Sequence, residues 1–200
     1  MTIKAIFFDL GGVILRTENK SARTSLAAEF GLSYDEMDRF VFESKSAALA
    51  SLGKITEAEH WLDVTQRLNR PTTDMPHIRD SFFGGDQIDH DIIDLLRRLR
   101  STHKTGLISN AWDGMRQWMS DQQLTDAFDT LIISAELGIA KPDARIYQFA
   151  LEQLGVEAGQ SIFVDDVEKN IKACTALGMH GILFQNSQQT RAQIQQLLES

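Results

Sequence analysis

Short, nearly continuous apolar runs recur along the chain at Ala5 to Phe8, Thr105 to Ser109, Leu131 to Ser134, Ile162 to Val164 and Gly181 to Phe184. Runs of this kind, without strict alternation, fit strands buried on both faces, as in a parallel sheet. Between most of them the hydrophobic period lengthens. Ile92, Ile93, Leu95, Leu96 and Leu99 follow the three-to-four spacing of a helix with one buried face, and Ile146, Phe149, Ala150, Leu151 and Leu154 repeat it. Alternating strands and amphipathic helices predict an α/β fold, a parallel sheet with helices on both faces.

The alternation is interrupted once. From about Arg16 to Gly85 strand signals vanish, and Ser21 to Phe30, Tyr34 to Ser44 and Thr56 to Leu68 read as helices. This predicts a small α-helical insertion over residues 16–85, dividing a core made of residues 1–15 and 86–200. Gly84-Gly85 suits a flexible return to the core, because glycine reaches backbone angles closed to other residues. The other hinge is expected near Leu15 to Glu18, and Gln188 to Gln196 reads as a solvated terminal helix.

Composition narrows the field. Two hundred residues with 42% hydrophobic content suit one α/β core with room for a small inserted subdomain. A net charge of -8 repels polyanions, so neither nucleic acid nor an anionic membrane surface is an expected partner. Cys174, the single cysteine, has no intrachain partner, and no apolar stretch approaches a membrane span. With a strand pattern starting almost at the amino terminus and no signal peptide ahead of it, a cytoplasmic location is expected. His60, His77, His90, His103 and His180 are scattered, without a zinc-binding spacing. Trp61 and Trp118 read as packing residues, while Trp112 is close enough to Ser109-Asn110 to border a pocket or to pack.

Candidate chemistry lies where the predicted strands end. Asp9 follows the first strand, Ser109-Asn110 the second, and Asp165-Asp166 the fourth, with Lys141-Pro142 between them. Ligands of open α/β sheets collect at those carboxyl ends. The set places a carboxylate, a hydroxyl, an amide, an ammonium and two further carboxylates around one crevice. Adjacent carboxylates at a strand end repel each other unless a cation intervenes, and Mg²⁺ takes oxygen ligands while bridging carboxylates to a phosphate. Asp9 is the candidate nucleophile, its alternative role being to cap a helix. Lys141 can reach a bound phosphate or stay solvated at the surface, with Pro142 opening the next helix. Ser109, with the amides of Asn110 and Ala111, can donate to phosphate or cap a turn.

Read as F-F-D-L-G-G-V-I, I-S-N, K-P-D-A-R-I-Y and F-V-D-D, the four segments resemble the motifs of the haloacid dehalogenase-like hydrolases, and the resemblance covers the whole chain. It is closest to the branch with a helical cap after the first motif, which includes bacterial sugar-phosphate phosphatases and the amino-terminal phosphatase domain of soluble epoxide hydrolase. The resemblance implies a Rossmann-like core and a Mg²⁺-dependent phosphatase that forms an aspartyl-phosphate on Asp9. Its substrate would be a small phosphate ester, with sugar phosphates among the candidates. It further implies metal contacts from Asp9, the Gly11 carbonyl and Asp166, with Asp165 acting through water.

One position departs from the family pattern. Phosphatases of the family carry a second Asp two residues after the nucleophile, as general acid and base, where this chain has Gly11. Such groups contribute about 10² to 10⁴-fold, most for poor leaving groups. Glu18 or a residue of the insertion can be imagined as a substitute. Two other functions stay open: a metal-independent haloacid dehalogenase, disfavoured by the extra negative charge of Asp165-Asp166, and a catalytically weak phosphate-binding protein.

Overall fold

The computed structural model describes residues 2–199. Its strands are β1 (Ala5–Phe8), β2 (Leu15–Thr17), β3 (Asp86–Ile88), β4 (Lys104–Ser109), β5 (Thr130–Ile133), β6 (Ser161–Asp165) and β7 (His180–Leu183). Five helices lie between β2 and β3: α1 (Ser21–Glu29), α2 (Tyr34–Phe42), α3 (Lys45–Ser51), α4 (Glu57–Arg67) and α5 (Met75–Phe83). The others are α6 (His90–Leu99), α7 (Met115–Asp121), α8 (Ser134–Leu137), α9 (Ala144–Leu154), α10 (Glu168–Ala176) and α11 (Ser187–Leu198).

The main sheet has the order β5-β4-β1-β6-β7, with every pairing parallel. This is the Rossmann-like arrangement, and the two faces separate by the pleat. Ile6, Phe8, Leu107, Ile162 and Val164 face a core closed by Ile92, Ile93 and Leu96 of α6, Met119 of α7 and Ile194 of α11. Their alternates Ala5, Phe7, Ile108 and Phe163 face Ile146, Tyr147 and Ala150 of α9 and Cys174 of α10. Both sides of each central strand are therefore apolar, which explains the continuous runs. The expected strands stand, with ends shifted by one residue or so.

Between residues 16 and 85 three expectations change. Leu15–Thr17 is a strand paired antiparallel with Asp86–Ile88, so a two-stranded ribbon carries the chain out and back. Three residues per strand are too few for a visible period. The predicted helix Tyr34 to Ser44 ends at Phe42, because Ser44 turns outward and accepts the Ala47 amide to start α3. The helix α5, with Pro76 in its first turn, was not anticipated.

Gly85 has in addition a steric reason to be glycine that was not expected. Neither Gly84 nor Gly85 has positive φ, and a Cβ on Gly85 would sit 1.8 Å from the Asn19 carbonyl oxygen. Glycine is there so that two backbones can touch. Arg23, almost fully buried in α1, ties the same region together by donating to the Phe82 carbonyl and pairing with Asp38 and Asp86. The insertion has its own core of Leu26, Met37, Val41, Trp61, Val64 and Phe82, and Trp112 from the loop after β4 is part of it.

Candidate active site

The carboxyl ends of β1, β4 and β6 bring the predicted residues together. One carboxylate oxygen from each of Asp9, Asp165 and Asp166 lies within 4.8 Å of the others. Lys141 Nζ sits between two of them, 2.8 Å from Asp9 Oδ2 and 2.7 Å from Asp165 Oδ2. Asp9 and Lys141 are nearly buried and Asp165 fully so, while Asp166 is exposed.

Burial pushes the Asp9 carboxyl up to about 6; Lys141 opposes the rise and Asp165 adds to it. Asp166 is raised as well, first by partial desolvation of its carboxyl group and then by Asp165. Three carboxylates against one ammonium leave two negative charges in a largely desolvated space. That charge and an all-oxygen donor set match a hard divalent cation, so the residues present fit Mg²⁺. A cation there would reverse the upward shifts.

The two adjacent aspartates differ sharply. Asp165 is saturated: Oδ1 accepts from the Val167 amide at 2.7 Å, the Asn170 side-chain amide reaches Oδ1 at 3.1 Å and Oδ2 at 3.0 Å, and Lys141 takes Oδ2. Asp166 instead lies over Gly12, whose φ is +76° and where a Cβ would meet Asp166 Oδ2 at 2.1 Å. Gly11 behaves differently from its neighbour. It has no positive φ, and nothing lies within 4 Å of a Cβ built there, so the turn itself would accept a side chain.

Ser109 is buried at the end of β4, and its Oγ makes no hydrogen bond among the described residues. The Ala111 amide is used differently from expectation, and the Asn110 side chain has a role that was not anticipated. The Asn110 side chain accepts the Lys141 amide at 2.7 Å and donates to the Lys141 carbonyl at 2.9 Å, clamping the backbone that carries the ammonium. The Ala111 amide donates to Ser134 Oγ at 3.1 Å. Neither group sits at a helix N-terminus, since α7 starts only at Met115. Pro142 does not open a helix either: its peptide bond with Lys141 is cis, and α9 starts at Ala144 with Asp143 as cap.

Glu18, considered as a substitute for the missing acid, is half exposed and paired with Arg16 Nε at 2.9 Å. Trp112 is almost buried, its ring 4.5 Å from His60 and 5.9 Å from Phe42. Sequence reasoning missed Asn170 and Ser134. Asn170 lies four residues after Asp166, where one helical turn would carry it back toward the strand end, so a signal existed; Ser134 carried none.

A family model for haloacid dehalogenase-like hydrolases matches residues 3–178, and the chain belongs to that family. It is 26% identical to sesquiterpene phosphatase astK of Aspergillus oryzae, over 98% of this chain and 97% of that protein. It is 25% identical to D-ribitol-5-phosphate phosphatase of Bacteroides thetaiotaomicron, over 99% and 100% of the two chains. Bifunctional epoxide hydrolase 2 of Sus scrofa matches at 28% over 94% of this chain, which spans 37% of that longer protein. Among solved structures, a haloacid dehalogenase family enzyme of Bacteroides thetaiotaomicron in complex with magnesium and inorganic phosphate superposes with a TM-score of 0.75 at 22% identity, covering 92% of this chain and 96% of that one. Among the described residues no helix is long and apolar enough to cross a membrane.

Proposed function

We propose that the chain is a Mg²⁺-dependent phosphatase that hydrolyses the phosphomonoester of a small metabolite through an aspartyl-phosphate on Asp9. The observation that carries this reading is Lys141 bridging Asp9 and Asp165 with Asp166 within reach of both. Phosphatases among the relatives and the magnesium–phosphate complex of a structural neighbour support it.

A phosphate dianion resists attack by a carboxylate, so charge must be neutralised before the two approach. Lys141 does this from the Asp9 side, and the Ser109 hydroxyl with the Asn110 amide binds the outer phosphoryl oxygens. Asp9 then attacks phosphorus, the bond to the ester oxygen breaks, and the departing alkoxide takes a proton from solvent, because Gly11 has none to give. Water next attacks the phosphorus of the acyl phosphate, releasing inorganic phosphate and restoring the carboxylate. Asp9, Asp166 and the Gly11 carbonyl would hold Mg²⁺, with Asp165 in a water-mediated role, and the ion would supply Lewis-acid stabilisation of phosphoryl charge. Asp165, saturated by three partners, serves mainly to hold Lys141.

Residues 16–85 act in this reading as a cap that selects the substrate over a core of 1–15 and 86–200. The buried Cys174 thiol, pushed up to about 11 by burial, is unreactive and suits a cytoplasmic setting. The dehalogenase alternative requires a carboxylate substrate beside the exposed Asp166, an arrangement of like charges. Phosphate and halide release should be measured with Mg²⁺ and in excess chelator, on the parent and on Asp9→Asn. Phosphate release that needs Mg²⁺ and vanishes in folded Asp9→Asn is expected. Chelator-resistant halide release would overturn the reading.

A further inference from the structure

Three large hydrophobic side chains stand exposed among the described residues: Phe42 at 45%, Leu183 at 37% and Val167 at 36%. Two of them connect along the chain or by packing to residues of the carboxylate site. Val167 follows Asp166 directly, at the mouth of β6. Phe42 packs on Trp112, its ring centroid 5.9 Å away, and on Phe82, 5.3 Å away and edge-on. Trp112 is three residues beyond Ser109, so the two Cα atoms are no more than about 11 Å apart. The intervening loop is fixed at both ends, by the Asn110 clamp on Lys141 and by Asp113, which accepts the Glu57 amide at the start of α4.

Behind the exposed ring the aromatic surface is continuous. Trp112 contacts His60, Trp61 and Phe83 as well as Phe42, and Trp61 packs on Phe82. Phe42 is thus the solvent-facing end of a packed cluster. An aromatic patch beside a charged pocket marks a place where an apolar body rests while its charged end is held.

Several polar groups of the insertion are already spoken for. Ser46 Oγ lies 2.8 Å from His60 Nδ1 and 2.6 Å from Asp63, Ser44 Oγ bonds the Val41 carbonyl, and Glu57 accepts from Trp61 Nε1. His60 Nε2 lacks a partner but is enclosed. A polyol needs matching donors and acceptors for its hydroxyls, and a surface without them gains nothing from binding them.

We propose that the alcohol part of the substrate is a hydrocarbon or aryl group seated on Phe42 and Trp112, flanked by Val167, and not a polyol. The inference rests on the phosphatase reading for the position of the phosphate, and it departs from the expectation of a sugar phosphate. The open space around Gly11 leaves room for such a group to pass.

The test uses methyl-, butyl- and hexylphosphonate, whose carbon–phosphorus bond does not hydrolyse, titrated calorimetrically with Mg²⁺ into the parent, Phe42→Ser and Phe42→Leu. Full burial of a methylene is worth about fourfold in affinity, so a gain of two- to fourfold per methylene is expected in the parent. Phe42→Ser should lose more than half of that chain-length dependence, and Phe42→Leu should keep most of it. A flat series in the parent, no binding of any phosphonate, or an undiminished dependence in Phe42→Ser overturns the proposal. Release of phosphate from 4-hexylphenyl phosphate, whose aryloxide leaves without a proton donor, is scored separately. Chain-length-dependent binding without release removes the phosphatase reading and leaves the apolar seat, whereas release with a flat phosphonate series does the reverse.

Discussion

Substituting alanine for Gly12 separates two effects that the structure places on one atom. The first is backbone strain, since at φ +76° an L-residue costs about 1–2 kcal/mol. The second is local: the new Cβ would lie 2.1 Å from Asp166 Oδ2, 2.5 Å from Cγ and 2.9 Å from Oδ1, so the whole carboxyl group must leave. Gly31 supplies the control, with φ +69° and nothing within 4 Å of a Cβ. Moving a carboxylate from about 4 to about 8 Å from a doubly charged ion halves their attraction. The loss is about 1 kcal/mol in water-like surroundings and about 4 kcal/mol at an effective dielectric near 20. Mg²⁺ affinity in Gly12→Ala should therefore fall at least fivefold, and at most about a thousandfold, while Gly31→Ala leaves it alone. Calorimetric Mg²⁺ titration reads the affinity, and urea unfolding of Gly12→Ala in the parent and in Asp166→Ala reads the contact. Relief of the extra destabilisation in the Asp166→Ala background is expected. An affinity within twofold of the parent, or a stability loss equal in both backgrounds, would refute the role given to Gly12.

Further outcomes follow from the same geometry. Asp166→Ala should weaken Mg²⁺ binding with little loss of stability. Asp165→Ala should destabilise the fold by about 1–3 kcal/mol, because it leaves the buried Asn170 side-chain amide without its acceptor while Lys141 keeps Asp9; paired titration and urea curves distinguish the two. His60 is fully buried, and burial lowers it from 6.5 to about 4. Below pH 6.5 the unfolded chain binds a proton that the folded chain refuses, so this contribution is complete above pH 6.5 and declines towards pH 4, by at most about 3 kcal/mol. Asp9, raised to about 6, acts in the opposite sense, so the measurement is the difference between parent and His60→Gln across pH 4–7.5; parallel curves would sink the assignment. Gly11→Asp, which meets no steric obstacle, should narrow the parent's preference for good leaving groups, with a gain bounded by about 10² to 10⁴-fold for alkyl esters. A parent rate independent of leaving-group pKa while chemistry is limiting would show that another residue already supplies the proton.

What could be read in advance depended on whether a feature was written in neighbouring residues. The sheet was legible because its strands are buried on both faces, so Ala5–Phe8 and Ser161–Asp165 announce themselves as apolar runs that end in aspartates. The aspartates of the site were legible for the same reason, standing at the ends of such runs, whereas Lys141 follows none. The ribbon Leu15–Thr17 with Asp86–Ile88 was not, because its partners are about seventy positions apart and each strand is three residues long. Asn110 shows the limit most clearly. Its place beside Ser109 suggested a main-chain amide for phosphate, whereas the clamp of its side chain on the backbone of Lys141 is a contact across 31 residues that no local pattern encodes. The glycines make the complementary point. Gly11, Gly12 and Gly85 look alike as letters, but Gly85 admits a neighbouring backbone, Gly12 admits a carboxylate, and Gly11 admits nothing at all. If steric need does not hold glycine at position 11, the reason for it lies outside the fold. A substrate whose alcohol leaves without a proton donor, and whose bulk occupies the space a side chain would fill, is a reason that the aromatic seat and the open turn both accommodate.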